Sequence, residues 1–368
     1  MHKFLMSEKI PKILKRGWTT GSCATAAAKS ACIAAFTKNF PDPVSITLPN
    51  NQEVSFCLAT TNYLSTQAEA GVIKDAGDDP DVTHGALVLS KIVLTHDNTE
   101  ISFKAGHGVG IITKPGLPLA VGEPAINPVP RMMINGELRK IFRQFQHPGG
   151  AIVTISIDNG LSLAQQTWNP RLGIVGGLSI LGTTGIVVPF SCSAWVASIH
   201  RGVDVCRANK IDHAFACTGR TSEQGVQDMF IPPREAIIDM GDFVGGLLKY
   251  LRRNPIPRLT IAGGFAKISK LAAGFIDLHS GRSQIDRSYL AGALKRCGAD
   301  KKLQELTWQA NSALDLLLIA QQHHIALADI VAKDACAVAI DTCQQPLVSI
   351  DVMVFDRQAK LIGRSTIQ

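Results

Sequence analysis

Four carboxylates crowd into seven residues at Asp75-Ala-Gly-Asp78-Asp79-Pro-Asp81. Charges that close repel one another unless they are paired, metal-bound or well solvated. The spacing is not that of a calcium loop, which needs D-x-[DN]-x-[DN]-G. The segment is therefore either a solvated acidic turn or a loop that supplies a base or orients other groups, with Asp75, Asp78 and Asp79 as candidates. A second cluster, Thr19-Thr20-Gly21-Ser22, precedes the alanine-rich run at residues 23–35. Alanine favours helix, and Ser22 or Thr20 can cap the first turn. The free N–H groups at that end, with the hydroxyls and Lys29, can hold a carboxylate or phosphate, or simply cap a helix. A third feature is the proline-fixed path from Gly122 to Arg131, which carries one Glu, one Asn (Asn127) and one Arg. An extended apolar loop of this kind suits a pocket wall. Arg131 is its carboxylate clamp, or else a surface residue that opens a helix over 131–145.

Glycine-rich turns form the fourth set: Gly182-Thr183-Thr184-Gly185, Thr218-Gly219-Arg220 and Gly263-Gly264. They follow short apolar runs, and helical stretches follow them. Strands are expected at 151–157, 211–217, 236–240, 258–262 and 275–278, with helices at 193–207, 224–229, 244–253 and 266–273. Repeated strand–turn–helix units imply right-handed crossovers and a parallel sheet. Each turn then lies at a strand's carboxyl end, along the edge where open α/β sheets hold ligands. The uncharged stretch 172–190 is read as a buried strand, the Gly182–Gly185 turn and a further apolar run in that sheet. About 20 apolar residues can span a bilayer, but five glycines and Pro189 break this stretch, so no membrane span is expected.

Residues 1–150 show hairpins at 44–48/53–59 and 87–95/100–104 without βαβ alternation. The fold class is thus an α+β domain over 1–150, then an α/β domain over 151–368 with a mainly parallel, Rossmann-like sheet. Its tail is helical at 287–297, 302–323 and 326–339 and closes with a hairpin at 347–355/360–364.

Composition narrows the partners. The net charge of +7 is spread out, and aromatic residues are only 6% and do not interleave with basic ones, so a small polyanion fits better than nucleic acid. The nine cysteines are odd in number and form no CxxC pair, which argues against zinc or a disulfide framework. Reduced thiols and the absence of a signal-peptide core in residues 1–8 point to the cytoplasm. A homo-oligomer stays open.

Six blocks together resemble one family. Arg16-Gly-Trp-Thr-Thr-Gly-Ser-Cys-Ala-Thr-Ala-Ala-Ala-Lys29, Lys74–Thr83, Thr113–Gly116, Gly122–Arg131, Asn169–Gly177 and Ser179–Val187 resemble, in order, the motifs of the cobalt-precorrin-5B C(1)-methyltransferases, the CbiD-type enzymes of anaerobic cobalamin biosynthesis. Trp18 stands where Phe or Tyr is more usual, and Cys217-Thr-Gly-Arg220 departs from the Pro-Gly-Asn turn of some members. The resemblance runs from about residue 15 to about residue 285 and is weak in the last 80 residues. It implies methyl transfer from S-adenosyl-L-methionine to C-1 of an anionic cobalt-corrinoid, with cobalt arriving only as part of the substrate and no protein-held metal. For that reaction, substrate contacts are expected from Thr19, Thr20, Ser22, Lys29, Lys74, Asn127 and Arg131, cofactor contacts from Gly182, Thr183, Thr184, Gly185, Gly219, Gly263 and Gly264 on the glycine-rich edge, and catalytic work from Asp75, Asp78 and Asp79. Two alternatives stand beside it. An NAD(P)-dependent reductase would need a G-x-G-x-x-G turn, which is missing. The other is a non-catalytic tetrapyrrole-binding protein.

Overall fold

The computed structural model describes residues 14–65 and 67–365. The reading of residues 1–8 lies outside them. The chain forms two compact units. The first comprises the chain up to Thr113, Pro118–Pro170 and Ile174–Ser191; the second comprises Lys114–Leu117, Arg171–Gly173 and the chain from Cys192 onward.

In the first unit, β1 (Gly17–Trp18) leads into α1 (Thr20–Thr37) and the hairpin of β2 (Val44–Thr47) and β3 (Glu53–Phe56). Strands β4 (Thr60–Leu64), β5 (Gln67–Ile73), β6 (Leu87–Thr95), β7 (Ile101–Ala105) and β8 (Ile111–Ile112) follow, then α2 (Pro128–Gln144), β9 (Gly150–Ile157), α3 (Gly160–Ala164), β10 (Ile174–Val175) and β11 (Ile186–Val187). The main sheet runs β4-β5-β6-β9-β7 and is antiparallel except for the β7–β9 pair. Helix α1 packs on β5, β6 and α2. Its alanines and cysteines are buried on nearly every side, as expected of a helix that is apolar all round. Small side chains let it approach the sheet closely enough for Ser90 Oγ of β6 to donate to the Ala24 carbonyl at 2.9 Å.

Three expectations fail here. β6 and β7 do not form a hairpin, because β9 inserts between them. That places β9, expected to open the second domain, at the centre of the first, so the boundary moves from 150 to about 191. The stretch 172–190 is not a strand of the parallel sheet. It is a loop fastened by two-residue ladders, β10 on β8 and β11 on β1.

The second unit begins with α4 (Cys192–Ala208), β12 (His213–Cys217), α5 (Arg220–Phe230), a 3-10 turn at Arg234–Ala236, β13 (Ile237–Asp239), α6 (Val244–Leu251), β14 (Arg258–Gly264) and α7 (Phe265–Ala272). It ends with α8 (Arg287–Arg296), α9 (Lys301–Gln309), α10 (Ala313–Gln322), α11 (Leu327–Cys343), β15 (Ser349–Phe355) and β16 (Leu361–Arg364). The sheet order is β13-β12-β14-β15-β16, with only β16 antiparallel. The overall class is therefore mixed α/β with a mainly parallel second sheet. One face is covered by α4, α6, α7 and the tail helices, the other by α5, which is why β12 and β14 read as near-continuous apolar runs. The expected strand at 275–278 is irregular. The long helix expected at 302–323 is two, α9 and α10, because the Ser312 side chain accepts from Asp315 N and caps a new start. No helix among the described residues is long and apolar enough to cross a membrane.

Candidate functional site

Along the second sheet the chain order reverses at β12, with β13 on one side and β14 on the other. The crevice outside the carboxyl ends of strands at such a switch point is the usual ligand position in open α/β sheets. A cavity of about 290 Å³ lies there, between the turn after β12 and the turn after β14. Leu314, Leu317, Phe355 and Ile362 give it an apolar wall; Arg220, Lys267, Asp356 and Arg357 supply the charges.

Gly219 and Gly264 are the N-cap residues of α5 and α7, and neither helix has a side-chain cap. Their first N–H groups thus lack the usual side-chain acceptor. A Cβ added at Gly219 or Gly264 would meet nothing within 4 Å. At Gly263 it would lie 2.8 Å from Ile268 and 2.9 Å from Thr218. Gly263 is therefore a packing glycine, while Gly219 and Gly264 keep the cavity open. Lys267 Nζ donates to the Thr218 carbonyl at 3.0 Å and pairs with Asp242 at 2.9 Å, tying the strand ends together.

Gly182, Thr183, Thr184 and Gly185, expected on the same edge, belong to the first unit. There they wrap the start of α1. The cap of α1 is Thr19, whose Oγ1 accepts from Ser22 N at 3.2 Å, not Thr20 or Ser22. Thr20 Oγ1 accepts from Leu181 N at 3.0 Å, and Ser22 Oγ donates to the Gly185 carbonyl at 2.8 Å. Gly21 N donates to the Leu181 carbonyl at 3.0 Å. Thr19, Thr20 and Ser22 are buried, so their hydroxyls hold the 181–185 loop. Thr183 and Thr184 are exposed on that loop.

The acidic segment is a partly exposed turn whose carboxylates are paired. Among the described residues no group of three or more His, Cys, Asp or Glu side chains is placed to hold a metal. Each carboxylate is partnered, and Asp75 and Asp78 share Lys15. Asp75 takes Lys15 Nζ at 2.6 Å and Gly77 N at 2.8 Å; the Lys15 hydrogen bond holds its carboxyl below the usual range. Asp78 accepts from Lys15 N at 2.9 Å, and Asp79 accepts from Phe190 N at 2.8 Å. Asp81 pairs with the buried Lys74 at 2.7 Å. Burial alone would raise the Asp81 carboxyl, but the Lys74 ammonium and two hydrogen bonds from Thr83 bring it below the ordinary value.

The remaining basic candidates are also engaged. Lys29 donates to the Ser45 carbonyl and pairs with Glu137, each at 2.7 Å. Arg131 Nε donates to the Ile126 carbonyl at 2.7 Å, and Nη2 pairs with Glu123 at 2.8 Å. Its guanidinium lies 5.4 Å above the Phe103 ring. Asn127 is the N-cap residue of α2 but makes no side-chain cap bond. Sequence reasoning missed Lys15, Arg220, Lys267 and Arg357. The Gly219-Arg220 step into α5 carried a local signal; Lys15 and Arg357 carried none.

A family model described as CbiD matches residues 7–189, and one described as CbiD, C-terminal domain, matches residues 277–366. The tail, where resemblance was expected to fade, is thus matched as well. The chain is 53% identical over 350 residues to a Paramagnetospirillum magneticum protein named cobalt-precorrin-5B C(1)-methyltransferase, covering 95% of this chain and 98% of that one. It is 52% identical over 353 residues to a Rhodospirillum rubrum protein of the same name, covering 95% and 97%. A Brucella anthropi protein with that name is 49% identical over 351 residues, covering 95% of each. A crystal structure of a cobalamin biosynthesis protein (CbiD) from Archaeoglobus fulgidus shows 23% identity and a TM-score of 0.38, covering 84% of this chain and 85% of that one.

Proposed function

Because the chain belongs to the CbiD family, we propose that it methylates C-1 of cobalt-precorrin-5B, with S-adenosyl-L-methionine as methyl donor, to give cobalt-precorrin-6A in anaerobic cobalamin biosynthesis. The observation that carries this is identity near one half, over 95% of the chain, to relatives bearing that name. The setting that suits such an enzyme is the cytoplasm.

The donor supplies an electrophilic methyl on a sulfonium centre. Holding that methyl in line with a ring carbon is chiefly a matter of position, and positioning alone removes a large part of such a barrier. The switch-point cavity of the second unit fits a donor site. Gly219 and Gly264 line it without adding a side chain, and the Leu314, Leu317 and Phe355 wall suits a flat apolar ring. This is the Rossmann-like use of the sheet, and it draws on Gly219 and Gly264, with Gly263 packing behind them. Cobalt enters with the substrate, whose acid side chains suit the basic groups Lys29 and Arg131 and the half-buried Asn127 of the first unit. The buried Lys74, Thr19, Thr20 and Ser22 act through the first unit's loops that they hold. Asp75, Asp78 and Asp79 act as posts that fix Lys15 and the backbone at Phe190. The Lys15 ammonium holds the Asp75 carboxyl low, and a carboxylate so held is a weak base, so Asp75 serves the reaction by positioning.

The test is a mass spectrum of cobalt-precorrin-5B after incubation with the purified chain and S-adenosylmethionine. A gain of one methyl group, with one S-adenosylhomocysteine formed per product, is expected. A two-hydrogen gain that requires NAD(P)H would replace this reading with a reductase. Tight binding with unchanged mass would leave a carrier.

A further inference from the structure

Two guanidiniums face the switch-point cavity without partners. Arg220 opens α5 and Arg357 follows β15, and both line the cavity. Neither side chain makes a hydrogen bond or ion pair among the described residues, in contrast to Lys267, which is held by Thr218 and Asp242. Asp356 is the single carboxylate in the lining, and its Oδ1 already accepts from Gln358 N at 2.9 Å and Lys360 N at 2.8 Å. With Lys267 offset by Asp242, the two guanidiniums of Arg220 and Arg357 remain beside one occupied carboxylate, next to the uncapped starts of α5 and α7 and opposite an apolar wall. Both arginines are exposed; like charges that line one crevice repel one another, and an anion relieves that repulsion. Guanidinium is also the group whose fork matches a carboxylate.

We propose that this cavity is a carboxylate seat, in which Arg220 and Arg357 clamp an acid group whose apolar neighbour rests on Leu314, Leu317 and Phe355. The inference rests on the methyltransferase reading and deepens it. Two ligands of that reaction carry the required chemistry: the amino-acid end of the methyl donor and the acid side chains of the corrinoid. The cavity volume of about 290 Å³ admits the first or a single arm of the second. The donor's sulfonium carries positive charge of its own, so its acid end is the part that belongs beside the arginines.

Calorimetry on the full chain separates the outcomes. The probes are S-adenosylhomocysteine, its decarboxylated analogue and cobalt-precorrin-5B; the proteins are the parent, Arg220→Met and Arg357→Met. Loss of one charge-assisted bond should weaken S-adenosylhomocysteine by about 10- to 100-fold in each variant. The decarboxylated analogue should bind parent and variants alike. If the corrinoid weakens instead and S-adenosylhomocysteine does not, the seat stands with a substrate arm as its occupant. If neither ligand weakens in either variant, the seat is overturned, and near-ultraviolet circular dichroism identical to the parent's excludes misfolding as a confounding cause. Methyl transfer by the parent reports separately on the underlying reading: transfer with unresponsive arginines removes the seat alone, and no transfer removes the methyltransferase assignment.

Discussion

At the scale of single residues, the second unit contains one polar chain that its apolar sheet has to tolerate. His213 Nε2 lies 2.7 Å from Thr260 Oγ1, and Thr260 donates its only hydroxyl proton to Asp351 Oδ1 at 2.5 Å. The imidazole must therefore donate to Thr260 from Nε2, and its lowered pKa keeps the ring neutral near pH 7. Burial, with the repulsion of Arg258 and Arg364 and against the pull of Asp351, lowers the His213 pKa to about 4. The sign follows from linkage. Between about 4 and the ordinary value of 6.5, the unfolded chain binds a proton at this site and the folded chain does not. The histidine therefore contributes full stability above 6.5, and that contribution is lost as pH falls toward 4. Urea midpoints at pH 7 and pH 4.5 should show a smaller drop for His213→Gln, which keeps a donor to Thr260 but cannot titrate. An equal drop in both proteins would mean that carboxylates elsewhere account for the whole acid sensitivity.

At the scale of elements, the α1 start and the 181–185 loop depend on each other. Gly182 has φ of 133°, and a Cβ there would lie 2.3 Å from Thr19 Oγ1. Gly182→Ala should cost roughly 1–3 kcal/mol through overpacking and an unfavourable backbone conformation. Thr183→Ala, on the exposed crest of the same loop, should stay within about 0.5 kcal/mol. Thermal melts of both variants check this, and equal melting temperatures would show that the loop is not packed on the cap residue. The same pair of elements marks the limit of what the sequence makes legible. Units such as β12–Gly219–α5 and β14–Gly264–α7 were readable, because apolar runs, glycine and amphipathic helix are neighbours in the chain. The 172–190 stretch was not, because its backbone bonds run to residues 17–21, 108–112 and 125–127. Its apolar residues satisfy distant partners rather than a local period. The site divides in the same way: the cavity glycines were legible from local pattern. The partners of Asp75, Asp78 and Asp79 were not, since Lys15 and Phe190 are at least 60 residues away in the chain.

At the scale of the whole molecule, the decisive strand is β9. It hydrogen-bonds to β6 on one side and β7 on the other, and Ala151, Val153, Ile155 and Ile157 are fully buried. Burying a Val or Ile side chain contributes about 1.5–3 kcal/mol, so Val153, Ile155 and Ile157 together supply a sum comparable to the net stability of about 5–15 kcal/mol typical of a domain. A chain cut at residue 150, where the change of pattern along the sequence suggests a boundary, would strip β7 of its one strand partner among the described residues and bare the inner edge of β6. Unpaired edges of that kind also invite association between chains. A fragment of residues 1–150 should therefore show no cooperative thermal transition and should aggregate at micromolar concentration. A fragment of residues 1–191, which retains β9 and also the β10 and β11 ladders, should melt cooperatively. Circular dichroism melts and size-exclusion profiles of the two fragments decide the matter: a cooperative, monomeric 1–150 fragment would show that β9 completes the first unit without being needed for it to fold.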